Sequence, residues 1–176
     1  MPRGTSITPK MVIDAAFEIV RKNGFHTLTA RSIAKQLGCS TQPIYWIYEN
    51  MDVLKQDVIE KIIAYLTEKI HSFNKTGRPF LDFGIGYIQT AYNEPMLFKL
   101  IYFDNILNLK FTDITPEKEM IEIMRKDECT ANLTDEECYH IAVKSWVFAY
   151  GLASLHATGM MVYNEEKIEK MLNDFI

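Results

Sequence analysis

Apolar positions along the chain recur with the period of a helix. Val12, Ala15, Ala16, Ile19 and Val20 fall at i, i+3, i+4, i+7 and i+8, which places them in one stripe. Thr8-Pro9 ahead of them reads as an N-cap followed by proline at the first helical position. Arg21, Lys22 and Gly24 close that helix, basic charge in the last turn and glycine beyond it. Thr29 is expected to cap a second, short helix with Ala30, Ile33, Ala34 and Leu37 on one face, stopped by Gly38. Ser40 is expected to cap a third, with Pro43 in its first turn, where the missing N–H breaks no bond. Asn50, followed by Asp52, opens a fourth that carries Val53, Leu54, Val58, Ile62, Leu66 and Ile70 to the neighbourhood of Phe73. Gly77 and Pro79 break the pattern.

The remainder is punctuated the same way. One helix is expected over 79–93, and one from Glu94-Pro95 towards Leu109. A third runs from Thr115-Pro116 to near Lys126. "TDEE", Thr134 to Glu137, is a capping box that opens a long helix to Thr158, and "NEEK", Asn164 to Lys167, starts the last. Leu109 to Thr115 is short and could be extended, but no period-2 strand stands out. The pattern is all-α, with about nine helices.

Composition adds bounds. The 176 residues, 48% hydrophobic and 24% charged, can bury a core as an ordinary globular chain does. The three cysteines, Cys39, Cys129 and Cys138, form no disulfide framework, and "MPRGTSITPK" holds no apolar export signal. Both point to the cytoplasm. Ser145 to Tyr163 carries no Asp, Glu, Lys or Arg and is long enough to raise the question of a membrane span. Its interspersed Ser145, Ser154, His156 and Thr158, and the lack of a basic flank, favour a helix buried by its own domain and by a partner. The net charge of −4 is uneven: residues 1–50 hold six Lys/Arg and three acids, leaving 13 bases and 20 acids for the rest. A basic head on an acidic body suits a head that meets a polyanion.

The junction Leu37-Gly38-Cys39-Ser40 joins two short helices as a helix-turn-helix does. Gly38 can take positive φ, and Cys39 is a small apolar plug under the turn. In such a motif the second helix enters the major groove by its N-terminal end. Ile44 and Ile47 are expected to face inward, which leaves Thr41, Gln42, Pro43, Tyr45 and Trp46 outside. Gln42 can pair with adenine, Thr41 can bond a base or phosphate, and Pro43 can pack on a thymine methyl. Tyr45 and Trp46 can each send one polar hydrogen to a phosphate. The helix starts near Thr29 and Ser40 add backbone N–H groups for phosphates. A short packing helix with exposed aromatics is the alternative.

Ile7 to Ile62 resembles the N-terminal domain of the tetracycline-repressor (TetR) family. The parts "AAFEIVRKNGF", "LTARSIAKQLG" and "IYWIYENMDVL" arrive in that family's order. The resemblance implies a DNA-binding domain over residues 1–50 and an effector-binding and dimerisation domain over 51–176. Helix 51–73 would be the connecting lever. In the family, positions matching Thr29, Arg31, Thr41, Gln42, Pro43, Tyr45 and Trp46 lie at or near DNA. Two departures stand out. Gln42-Pro43 sits one residue nearer to Tyr45-Trp46 than in the family's namesake, so base preferences do not transfer. Met51 replaces a frequent phosphate-clamping lysine, and Lys55, one turn on, is the candidate substitute.

"SWVFAYGLASLHATG" resembles a late-helix stretch of one group of these regulators, near effector pocket and dimer interface. Helices bearing Phe83, Tyr87, Phe98, Tyr102, Phe103, Met120, Met124, Trp146 and Tyr150 usually line the pocket, though core packing explains each residue as well. A lining of aromatics and Met suits a bulky apolar or planar small molecule. Gly151, Ala153, Ser154, Ala157 and Gly159 are small enough for close helix approach. Gly151, Ser154, Leu155, Gly159, Ile168, Met171 and Leu172 are the expected dimer interface, a four-helix arrangement with the last helix. Cys129, Cys138 and His140 match no common zinc spacing, and no cofactor is expected. There is no phosphate loop, nucleophile elbow or HExxH.

With the resemblance, these features lead to the expectation of a homodimeric transcriptional regulator, a repressor that holds a palindromic double-stranded operator and is released by a small-molecule effector. The rival is an effector-binding helical dimer whose head has ceased to read specific DNA, as Met51 and Glu49 suggest. An enzyme working through His156 is a distant third, since a buried, hydrogen-bonded histidine explains that residue.

Overall fold

A computed structural model of the chain describes residues 6–108 and 118–174. Those residues form nine α-helices and one 3₁₀ turn: α1 (Pro9–Asn23), the 3₁₀ turn Phe25–Thr27, α2 (Ala30–Leu37), α3 (Gln42–Ile47), α4 (Met51–His71), α5 (Pro79–Asn93), α6 (Pro95–Tyr102), α7 (Lys118–Arg125), α8 (Asp135–Ala157) and α9 (Glu165–Asn173). There is no strand among them. The stretch Leu109 to Thr115 and the helix start at Thr115-Pro116 lie outside the described residues.

Local chemistry sets most helix ends. The Thr8 hydroxyl accepts the Met11 N–H at 3.3 Å. Asn50 Oδ1 accepts from the amides of Asp52 and Val53, and Asn164 Oδ1 from Lys167. Thr134 and Glu137 cap each other reciprocally. At the end of α2, Gly38 takes φ 66 and ψ 32, with bonds from Gly38 N to Lys35 O and from Cys39 N to Ala34 O. That crossed pair is a Schellman motif, and it requires the left-handed residue that glycine supplies without strain. α6 ends at Tyr102, short of the expected Leu109, and left-handed residues follow it: Asn105 at φ 47 and Asn108 at φ 51.

The chain divides into two compact units, residues 1–65 and 66–176. The division falls inside α4, not at residue 50 as expected. The physical reason is packing of the early part of α4 on α1: Tyr65 sets its ring edge-on to Phe17 at 5.1 Å, and the Lys61 ammonium pairs with Asp14. In the first unit Val12, Ala16, Val20, Ile33, Ile44, Leu54, Val58 and Ile62 are fully buried. The larger of these are each worth about 1.5–3 kcal/mol on burial.

In the second unit α5 packs on α6, α7, α8 and α9. Leu81, Ile85, Ile88, Ala91, Phe98, Ala153 and Ile168 form its interior. Two buried carboxylates hold the start of α5. Asp127 accepts the Phe80 N–H at 3.2 Å and the Cys129 N–H at 3.1 Å and faces the Arg78 guanidinium at 3.4 Å. Asp82 accepts the Thr76 N–H at 3.0 Å and its hydroxyl at 2.9 Å. No helix among the described residues is long and apolar enough to cross a membrane.

Gly86 marks a close approach of α5 to the end of α4. A Cβ there would stand 2.4 Å from the Ile70 carbonyl oxygen and 3.0 Å from Phe73 Cβ. The obstacle is backbone and cannot swing aside. Gly86→Ala is therefore expected to lower stability by about 1–3 kcal/mol or more. Gly84→Ala meets only the flexible end of Leu172 and should cost less. Urea unfolding of both variants checks the order; equal midpoints would contradict it.

Candidate nucleic-acid interface

α3 is six residues long and is positioned from beneath. Ile44 is fully buried, and Tyr48, just past the helix, is 7% exposed. The Tyr48 hydroxyl donates to Asp57 Oδ2 on α4 at 3.0 Å. Burial, reinforced by that hydrogen bond and the carboxylate charge, pushes the phenol up to about 12. Ile47 is half-buried rather than fully inward. The opposite side projects. Gln42 is exposed, Tyr45 is 53% exposed and Trp46 is 75% exposed. Thr41 and Pro43 are half-buried.

Ser40 does not cap α3. The helix begins after Thr41, which already has helical φ −72 and ψ −16 and makes no side-chain cap bond. A capping side chain needs an extended backbone to reach back over the first turn, and Thr41 lacks one. Ser40 remains exposed. Thr29 does have that backbone, and its hydroxyl accepts the Ser32 N–H at 3.0 Å while Ser32 Oγ accepts the Thr29 N–H.

Charge is distributed selectively over this unit. Arg21 and Lys22 both pair with Glu18 at 3.5 Å. Lys55, the candidate phosphate clamp, pairs with Asp52 at 3.3 Å. Lys10, Arg31 and Lys35 are exposed and make no ion pair among the described residues. A groove of about 690 Å³ brings Gly38, Cys39, Pro43 and Trp46 beside Ile7 and Met11 at the start of α1. Sequence periodicity did not point to that association of the α1 start with the turn.

In the second unit the structure brings six of the nine expected pocket residues together. Tyr87 lies edge-on to Phe98 at 5.4 Å and to Tyr102 at 5.6 Å. Phe98 meets Tyr102 at 4.6 Å and Phe103 at 6.0 Å. Tyr150 joins Tyr102, Phe103 and Trp146 at 6.4, 6.2 and 5.5 Å. Phe83 packs on the same core, but its ring meets His71 and lines a separate cavity of about 240 Å³. Met120 and Met124 belong to another apolar cluster, with Phe80, Cys138 and Ala142.

Three expected interface residues have roles within the chain. Ile168 and Leu172 are 1% and 3% exposed in its own core, because α9 packs on α5. Gly159, at φ 73, closes α8 with bonds from its amide to His156 O and from Met160 N to Leu155 O. It is a Schellman stop, so its conformation rather than its size is used there. Gly151 and Leu155 are exposed, Ser154 and Met171 are half-buried, and the Ser154 hydroxyl bonds back to Tyr150 O at 2.7 Å. Val147, one turn before Gly151, is 52% exposed, and Met160 and Val162 beyond the helix are more so. These three were not singled out from the sequence, although Val147 follows the same four-residue spacing. His156 is buried, with Nδ1 against Met161 O at 2.9 Å.

No protein-family profile matches the sequence, and no curated protein matches it as a relative. Solved structures do match. A TetR-like transcriptional regulator from Rhodococcus sp. RHA1 aligns over 99% of this chain and 95% of its own, at TM-score 0.58 and 16% identity. The protein SCO4313 aligns over 95% and 94%, at TM-score 0.63 and 16% identity. A TetR-family transcriptional regulator from Haemophilus influenzae RD aligns over 94% and 92%, at TM-score 0.57 and 12% identity. The described residues have the fold of TetR-type regulators.

Tyr48 offers a check on how α3 is held. Its folded value, near 12, lies above the unfolded value near 10, so the bond contributes fully below pH 10. The contribution is lost as pH rises through 12. Stability of wild type is expected to fall more steeply between pH 10 and 12 than that of Tyr48→Phe. Parallel curves in chemical denaturation would remove Tyr48 from the support of α3.

Proposed function

We propose that this chain is a DNA-binding transcriptional regulator that acts as a homodimer, a repressor on a palindromic operator released by a small apolar or aromatic effector. One observation carries the DNA half. α3 is anchored by a fully buried Ile44 and projects Gln42, Tyr45 and Trp46 into solvent. A Trp 75% exposed on a six-residue helix leaves most of its ring without a packing role in its own unit. It has one against sugar and phosphate, with its indole N–H as donor. Gln42 supplies the amide that reads an adenine edge, and exposed Arg31, Lys35 and Lys10 supply cations for the backbone.

The dimer reading rests on α8. Val147, Gly151 and Leu155 stand one turn apart and are all exposed, an apolar stripe in need of a partner. A second copy satisfies it symmetrically and supplies the second head for the second half-site. The effector reading rests on the six-ring cluster of the second unit, and α4, shared by both units, is the connecting lever. Ligand lowers operator affinity only by its differential affinity for the two head spacings. One observation favours the rival, an effector-binding dimer without specific DNA reading: Lys55, the candidate replacement for the clamp missing at Met51, pairs with Asp52 at 3.3 Å.

Selection of purified protein against random duplex DNA separates the two. The regulator should enrich a palindrome with half-sites about one turn apart. Gln42→Ala should then cost about 1–3 kcal/mol and relax one position. Trp46→Ala should weaken all sequences alike. No enrichment at low salt, with folded protein, would leave the rival standing.

Gly151→Ala tests the dimer. Its Cβ would meet nothing within 4 Å in the single chain. In a monomer, alanine should therefore stabilise α8 by about 0.5–1 kcal/mol. Across a close helix pair it should clash and weaken association, seen as a rise in dimer dissociation constant by analytical ultracentrifugation. Unchanged association would move the interface off this stripe.

A further inference from the structure

The two buried carboxylates at the start of α5 are closed to different degrees. Asp127 uses both oxygens: Oδ1 accepts the Cys129 N–H at 3.1 Å and faces the Arg78 guanidinium at 3.4 Å, while Oδ2 accepts the Phe80 N–H at 3.2 Å. Asp82 uses one. Its Oδ1 accepts the amides of Lys75 and Thr76 at 3.3 and 3.0 Å and the Thr76 hydroxyl at 2.9 Å. Among the described residues Oδ2 makes no hydrogen bond, and Asp82 has no ion pair. The residue is only 3% exposed. A carboxylate taken out of water without a cation is costly, and such a group calls for an explanation.

Asp82 also lines the cavity of about 240 Å³ in the second unit. Ile70, Phe73, Pro79, Phe83 and Ile123 supply its apolar walls, and the exposed His71, Asn74 and Lys126 complete the lining. We infer that this cavity binds a small protonated amine with an apolar, single-ring body, its ammonium paired with Asp82 Oδ2. This rests on the effector reading above: it names the chemistry of the effector and seats it beside the ring cluster, on Ile70, Phe73 and Phe83 of the same core. Three arguments lead to it. Size is the first. The cavity holds the volume of about eight waters, room for one ring and a short chain. Charge is the second. A buried charge acts through a low dielectric, and an exposed one is screened by water and salt. An ammonium in the cavity therefore gains more from buried Asp82 than it loses to exposed Lys126 and His71. A carboxylate ligand meets the reverse. Donor chemistry is the third. Oδ2 only accepts, and an N⁺–H is a stronger donor to it than a neutral hydroxyl. Asn74 can accept a second N–H of the same group.

The test uses three probes of one shape at neutral pH: 2-phenylethylamine, 2-phenylethanol and 3-phenylpropanoate. Affinities are measured on the full chain by equilibrium dialysis. The amine is expected to bind about tenfold more tightly than the alcohol, and the acid most weakly. Asp82→Asn keeps an Oδ1 for Thr76 and should erase the amine's advantage while alcohol affinity holds. Its thermal melt shows whether it folds. Should it not fold, Lys126→Met decides: removing an exposed like charge should tighten amine binding about twofold and leave the alcohol unchanged. Equal binding of amine and alcohol in wild type would overturn the proposal. So would tightest binding of the acid, an amine advantage that survives Asp82→Asn in folded protein, amine binding unmoved by Lys126→Met, or no binding of any probe. Release is read separately, by fluorescence anisotropy on the enriched palindrome. Amine binding that depends on Asp82 but leaves DNA affinity unchanged would uphold the site and remove the effector reading, so the two failures are told apart.

Discussion

A helix of six residues cannot hold itself together in water, because helix formation needs a costly first turn and isolated helices of fewer than about 12–15 residues are marginal. α3 exists only because other elements fix both its ends and its underside. Before it, the Schellman pair at Gly38 and Cys39 sets the direction in which the chain leaves α2. Beneath it, Ile44 is removed fully from solvent. After it, Tyr48 closes onto Asp57 of α4. With those three points fixed, the remaining side chains have only one way to face. The exposure of Gln42, Tyr45 and Trp46 is thus a consequence of how α3 is anchored, and the DNA reading depends on that anchoring more than on any of the three residues.

The parts of this fold that could be read in the sequence are those governed by hydrogen bonds spanning a few residues. Thr8, Thr29, Asn50, Thr134 and Asn164 all cap as their spacing indicates, and Gly38 stops α2. Ser40 fails for a local reason that composition does not reveal: the next residue is already helical. Long-range choices were harder. The apolar positions Ile168 and Leu172 say that one face of α9 is covered, but not whether by α5 or by a second copy. Met120 and Met124 share composition with the aromatic cluster and not its location, because α7 packs with Phe80 and Cys138. Gly159 looks like a small interface residue and is a helix stop, since smallness and tolerance of positive φ are the same property of glycine seen in two contexts. The division within α4 follows from ring and charge contacts with α1 that pair residues more than forty positions apart.

Identity to the solved TetR-type structures is only 12–16%, yet alignment covers nearly the whole chain. The features that fix this fold tolerate that divergence. Apolar stripes accept any branched or aromatic side chain of suitable volume, and caps accept several polar residues. Gly86 is different, because its partner is a carbonyl oxygen of Ile70 and no larger side chain fits. Low identity with a common fold is therefore expected, because the fold constrains its interior and leaves the surfaces free to differ.

Polar satisfaction then distinguishes the two units physically. In the first, Tyr48 is closed by Asp57, Thr29 by Ser32 and Asp14 by Lys61. In the second, Ser145 Oγ and His156 Nε2 remain open inside the fold. A ligand alters a conformational equilibrium only by contributing free energy unequally to its states. A unit whose buried donors and acceptors are already closed has little left for a ligand to add. A unit with open buried polar atoms gains from any contact that closes them, and gains most in the arrangement that brings those groups to it. The two units thus differ physically in how completely their inner polar groups are closed, and among the described residues only the second keeps buried polar atoms whose free energy a new contact would lower.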